Sequence, residues 1–126
     1  MNKYILLALM FLSHISHAGE DDSLWVWQSN NVERTFSIIL IKSDDGYNGT
    51  YCAVAMSGRR VDCSPKSATP FFTRINGEVF KFKTNYSSVF GEASLTLNGE
   101  ELHWEILVSP RGEHYAPKSA VLKRHQ

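Results

Sequence analysis

The side chains best suited to recognising a partner crowd one segment near the C-terminus. Arg111, Glu113, His114, Tyr115 and Lys118 lie within Ser109–Lys118, which also holds Pro110, Gly112 and Pro117 and so reads as a long polar loop. Arg and Tyr are the residue types that carry most of the energy at protein interfaces, and loops on a rigid scaffold are where binding concentrates. Arg59 and Arg60 follow the turn signal Ser57-Gly58 and form a second candidate contact at a hairpin tip. Glu101, His103 and Glu105 alternate, so they share one face of a strand. A carboxylate-flanked imidazole can act as a general base or as half of a metal site. The plain alternative is a solvated face opposite Leu102, Trp104 and Ile106. Lys81 and Lys83 are the basic counterpart, able to pair with Glu101 or Glu105 across a sheet or to serve as ordinary surface charge. No Ser-His-Asp order, H-E-x-x-H or phosphate-binding loop occurs. No catalytic residue, metal or cofactor is therefore assigned.

What must position these groups begins with an address. Met1-Asn2-Lys3 carries a positive charge, Tyr4–Leu12 is uncharged and mostly aliphatic, and Ser16-His17-Ala18 places small residues at a cleavage site. This pattern reads as a secretory signal peptide over 1–18. The apolar run is too short to span a bilayer, so no membrane span is expected. Removing 18 of 126 residues leaves 108, Gly19 to Gln126, expected to be a single domain. The full chain has 13 basic and 13 acidic groups; loss of Lys3 leaves 12 against 13, a net charge of −1. That balance argues against a nucleic-acid binder working through bulk positive charge. His14 and His17 leave with the signal, and only His103, His114 and His125 remain available. Localisation is expected to be secreted, and periplasmic in a Gram-negative host. In such an oxidising compartment the two cysteines, Cys52 and Cys63, are expected to form a disulfide.

After Ala18 the apolar pattern has period two, broken by turn signals. Leu24–Trp27 reads as a first strand, with Trp25 and Trp27 on one face as a barrel-end plug or an exposed anchor. Thr35–Lys42 is the second, with Phe36, Ile38 and Leu40 inward and Ile39 and Ile41 outward. Asp44-Asp45-Gly46 turns the chain into Tyr47–Met56, and Ser57-Gly58 turns it into Arg59–Cys63. With Met56 opposite Arg59, the register sets Cys52 opposite Cys63 at a hydrogen-bonded pair, about 5.5 Å between Cα atoms and within disulfide reach. Ser64–Pro70 breaks the pattern, because its two prolines exclude a central strand. Phe71–Ile75 resumes, and Asn76-Gly77 reads as a hairpin into Glu78–Thr84. Glu92–Leu97 follows, with Ala93, Leu95 and Leu97 inward. Asn98-Gly99 turns it into a return strand with Leu102, Trp104, Ile106 and Val108 inward. Ala120–Lys123 closes the chain, beside the first strand if the sheet closes. The expected fold is all-β, a small antiparallel meander barrel or sandwich of about eight or nine short strands.

Residues 35–54, T-F-S-I-I-L-I-K-S-D-D-G-Y-N-G-T-Y-C-A-V, resemble the second and third strands of avidins. The resemblance covers about twenty residues, counted on the turn-linked strand pair it spans. It implies a meander barrel, with Tyr51 matching a biotin-contacting tyrosine. Ala53 stands where that family carries a biotin-bonding hydroxyl, and the family's opening strand G-T-W-Y-N is absent around Trp25. The likeness therefore supports the architecture and not biotin binding.

Three functional classes fit. The leading one is an exported module that binds a protein partner, such as an immunity protein or an inhibitor of an exported enzyme, through Arg111, Glu113, His114 and Tyr115 with Arg59 and Arg60. The alternative is a small-ligand carrier of avidin or lipocalin type, which requires a cavity above about 300 Å³. An enzyme ranks third and requires titratable groups converging in one cleft, such as His103 and His114 near Glu113. Asn48-Gly49-Thr50 and Asn85-Tyr86-Ser87 are glycosylation sequons, of consequence only in a glycosylating host.

Overall fold

The alternation of apolar and polar residues is realised as antiparallel strands in a computed structural model that describes residues 22–125. The proposed signal segment at 1–18 lies outside the described residues. Nine strands occur among the described residues: β1 (Asp22–Gln28), β2 (Thr35–Ser43), β3 (Gly46–Ala55), β4 (Arg60–Cys63), β5 (Phe71–Thr73), β6 (Asn76–Phe82), β7 (Gly91–Asn98), β8 (Glu101–Val108) and β9 (Ser119–His125). They form one sheet in the order β4-β3-β2-β1-β9-β8-β7-β6, with β5 paired to β3. The sheet curls into a half-barrel. The last strand lies beside the first, with Trp25 opposite Arg124.

One turn expectation fails. Asn76-Gly77 does not make a hairpin, because β5 pairs with β3 while β6 pairs with β7. The positive φ that marks a hairpin turn is present at Gly77 (90°), and Ile75 also has φ of 53°. Here they make a bend and a bulge, seen as a register shift between Asn76 and Val79. Segment 71–82 thus crosses from one end of the sheet to the other and ties the two together.

The core is the inward stripe of each strand. Phe36, Ile38, Leu40, Ala93, Leu95, Leu102 and Trp104 are essentially inaccessible to solvent. Trp104 is its centre, with ring centroids 5.0 Å from Phe36 and 5.3 Å from Phe82. Phe71 stacks on Phe80 at 4.4 Å, closing the seam between β5 and β6. Gly49 makes room for it, since a Cβ there would lie 2.3 Å from the Phe71 ring. Two residues expected inside are exposed. Val108 follows a bulge in which Glu92 pairs with Val108 but Ala93 pairs with Ile106, so the alternation slips at Leu107. Leu97 keeps inward register opposite Leu102 but lies at the rim of the barrel. Ile39 and Ile41 are exposed, so nothing among the described residues covers the outer face of β2.

The Cys52–Cys63 disulfide forms, in the expected register. The turn that sets it is longer than expected. Ala55 opposite Arg60 is the last pair, and Met56–Gly58 form a 3₁₀ turn with Ser57 at φ 53°. Lengthening the connection also switches the ladder. Ser64 N–H donates to the Tyr51 carbonyl at 2.9 Å, so the neighbouring cysteine pair is a non-hydrogen-bonded one. This is the closer class of pair, and the Cα atoms are 4.0 Å apart.

A meander sends alternate connections to opposite ends. Residues 29–34, 56–59, 83–90 and 109–118 all gather at one end. At the other end lie the two-residue turns Asp44-Asp45 and Gly99-Glu100 and the bend before Asn76, where β1 begins and β9 ends.

Candidate functional site

Two of the four long connections, 83–90 and 109–118, are tied to β4 by a carboxylate that sequence reasoning missed. Asp62 on β4 pairs with Ala53, which is on the inward stripe, and its side chain is fully buried. Its Oδ1 accepts from Tyr51 Oη (3.2 Å) and from the Asn85 N–H (3.0 Å), and its Oδ2 accepts from the Tyr115 N–H (3.0 Å). A buried carboxylate is tolerated when donors surround it. Here two of the donors are backbone groups of separate loops, so the charge fixes loop positions. Burial, reinforced by the Asp62 charge, pushes the Tyr51 phenol well above its ordinary range and keeps it a donor. The signal was present in the sequence: the register that pairs the cysteines also sets Asp62 opposite inward-facing Ala53.

Above this anchor, residues nominated from distant stretches meet. Arg60 Nε lies 4.0 Å from Glu113 Oε1, joining the hairpin tip to the 109–118 loop. Tyr115 Oη donates to the same Glu113 carboxylate, and that bond raises the Tyr115 phenol above its ordinary value. Arg34, from the first long connection, donates to the Tyr115 carbonyl at 3.1 Å and lies over the Trp27 ring. Tyr86 packs edge-on against Tyr115 at 5.5 Å and donates to the Val61 carbonyl. Beneath, Trp104 Nε1 donates to the Pro117 carbonyl at 2.8 Å, and Ala116 and Pro117 are buried. The loop tip is left outside: Arg59, Arg111 and Glu113 are exposed, and so is Lys118 at the loop's base. His114 is half-buried, its Nδ1 3.1 Å from the Gly112 carbonyl. Arg34 and Tyr86 carried no sequence signal, because their roles depend on tertiary contacts.

The other constellations stay apart. Glu101, His103 and Glu105 share the outer face of β8, as alternation requires. His103 Nε2 sits 3.5 Å from Glu101 Oε1 without hydrogen-bond geometry. Glu101 is held by Lys123 on β9, whose ammonium keeps its carboxyl below the ordinary range. Lys81 lies opposite Glu92 in the strand register instead, since β6 borders β7 and not β8. His103, His114 and His125 lie on three separate elements. Among the described residues, no three His, Cys, Asp or Glu side chains gather closely enough to hold a metal ion.

The opposite end is open. A cavity of about 700 Å³ enters there, floored by Trp25, Leu40, Ile75 and Leu97 and rimmed by Lys42 and Arg124 among others. Tyr51, matched to a biotin-contacting residue by the avidin resemblance, does not line it; its ring is in the core and its hydroxyl is on Asp62. Comparison with protein-family models, curated proteins and solved structures finds no match to this chain.

Proposed function

We propose that the protein is an exported binding module that occupies a protein partner through its loop-bearing end, in the manner of an immunity protein or an enzyme inhibitor. One observation carries this reading. Arg60, Glu113 and Tyr115, drawn from distant stretches of chain, share one surface whose loop backbones are held by buried Asp62. Arg and Tyr side chains fill partner clefts with large contact area, and loops already fixed in place lose little entropy on binding. Glu33, Arg59, Arg111 and Glu113 supply a mixed charged rim that sets partner choice and on-rate. The separation of the three histidines favours occupation of a partner over catalysis on it. The disulfide supports export, since such bonds persist in oxidising compartments.

The test uses the tagged protein with extracellular or periplasmic fractions of the source cells. The wild type is expected to capture a defined partner, and Arg60→Ala with Tyr115→Ala to weaken capture at least tenfold while the β-sheet circular dichroism spectrum is retained. Failure to capture a partner, or equal capture by the double variant, would overturn the reading. Export is checked separately: the mature N-terminus is expected at Gly19.

A further inference from the structure

We propose a second binding site at the open end of the half-barrel, for an amphipathic small molecule with an apolar body and a carboxylate head. It is independent of the loop-bearing surface and uses none of its residues.

The inward stripe of two strands ends in a cation. On β2 the series is Phe36, Ile38, Leu40 and then Lys42; on β9 it is Ala120, Leu122 and then Arg124. Both series run from fully buried apolar residues to an exposed charge at the rim. Each cation lies over an aromatic ring on the neighbouring strand. Lys42 Nζ is 4.8 Å from the Tyr47 centroid, and Arg124 Cζ is 6.0 Å from that of Trp25. Rings of this kind hold a cation in place without neutralising it. Neither makes an ion pair with a carboxylate among the described residues.

The acidic groups of the rim are placed differently. Asp22 pairs with Ile41, an outward position, Glu100 is at the tip of the turn between β7 and β8, and Asp45, on the turn after β2 within the field of Lys42, is held by Arg74. The third rim cation, Lys123, faces outward and is already paired with Glu101. His125 pairs with Leu24, also on the outer register. The groups in inward register are therefore two cations above an accessible apolar floor of Ile75 and Leu97, with the nearly buried Trp25 and Leu40 beneath it. The cavity, about 700 Å³, is within the range that holds a small ligand. An apolar body seated on the floor brings its head level with Lys42 and Arg124. A carboxylate there gains charge-assisted hydrogen bonds, whereas an ammonium head meets two like charges.

The experiment titrates the purified protein with octanoate, octanol and octylammonium, followed by calorimetry and by the tryptophan indole N–H signals in an NMR spectrum. Octanoate is expected to bind saturably at one site, at least tenfold more tightly than octylammonium, with octanol between them. The Trp25 indole signal, whose N–H donates to Ser23 at the rim, is expected to move. The Trp104 signal, bonded to Pro117 at the far end, is expected to stay. Lys42→Gln with Arg124→Gln should weaken octanoate at least tenfold and leave octanol unchanged. Leu97→Trp, which fills the cavity and leaves both cations, should weaken octanoate and octanol alike. Octanoate that fails to saturate, octylammonium that binds as well, or a double glutamine variant that binds octanoate undiminished would each overturn the proposal. Because Arg60 and Tyr115 are untouched, none of these outcomes bears on capture of a protein partner.

Discussion

The two ends of the half-barrel are built on opposite principles. At the loop-bearing end, four connections converge and a fully buried carboxylate accepts from three donors, two of them backbone groups of loops. Polar groups there are withdrawn from water to fix backbone. At the open end the turns are two residues long, the inward stripe stops at the rim, and the charged groups remain exposed. Arg74 reaches Asp45 at 3.0 Å and Glu78 at 3.1 Å, an exposed network spanning the bend into β6. The same scaffold thus offers a preorganised loop surface at one end and an unfilled concavity at the other. Rigidity in a loop comes from partners for its backbone, and a concavity persists where no large side chain is supplied to fill it.

The contrast is broken most forcefully at Asp62. Asp62→Ala removes the acceptor for the Asn85 and Tyr115 N–H groups and one of two for Tyr51 Oη, which also donates to the Lys83 carbonyl at 3.3 Å. A buried donor left without its acceptor costs about 1–3 kcal/mol, so orphaning two N–H groups and weakening a third contact costs about 3–5 kcal/mol in all. The expected result is a loss of that order in denaturant unfolding, with amide exchange accelerated at Asn85 and Tyr115 more than at Tyr47 or Leu97. Equal acceleration at both ends would show that Asp62 supports the fold generally and not the loops in particular.

A smaller effect is expected from Cys52→Ser with Cys63→Ser. The crosslink spans a sequence separation of 11 and joins β3 to β4 beside Asp62. In the chain-entropy model a loop of this size is worth roughly 3 kcal/mol. Beyond the global loss, the double variant is expected to loosen the loop-bearing end first, because β4 is an edge strand that carries the anchor. Its readout is reduced partner capture by the variant relative to the wild type, with octanoate binding at the open end retained.

The period-two stripes made the all-β class and most core residues legible, because Phe36, Ile38, Leu40 and Trp104 declare their faces by spacing alone. The cysteine pairing was also legible, since a hairpin carries its register with it. The hydrogen-bonding class of that pair was not, because it depends on whether Ala55–Arg60 or Met56–Arg59 closes the turn. Asn76-Gly77 misled for a definite reason: a positive φ at Gly77 serves a bulge as well as it serves a turn, and the pairing of β5 with β3 has no local trace. The candidate surface was half visible. Arg60, Glu113 and Tyr115 stood out by type, whereas Asp62, Arg34 and Tyr86 matter through contacts between residues far apart in the chain. Leu97 and the inward ends of β2 and β9 show the same limit, since alternation says which way a side chain faces but not where the core stops.

The smallest effect concerns the exposed network of the open end and tests whether it is as dispensable as its exposure implies. A hydrogen bond from the Arg74 guanidinium, aided by its charge, holds the Asp45 carboxyl below its ordinary value of 3.8. A carboxyl whose folded value is depressed binds fewer protons in the folded state than in the unfolded one as the pH falls below 3.8. Its contribution is therefore complete above that pH and is lost as the pH drops through the depressed folded value. Exposed pairs of this kind contribute little, because solvent and salt screen them. The expected outcome of an NMR titration is an Asp45 midpoint below 3.8 that Arg74→Gln returns to the ordinary range. The melting temperature at neutral pH should shift far less than on loss of the disulfide. If Arg74→Gln instead destabilised the protein as much as the cysteine variant, the bend before β6 would be a structural clasp of the same rank as the disulfide. The two ends would then differ in what they present to a partner but not in how firmly they are held.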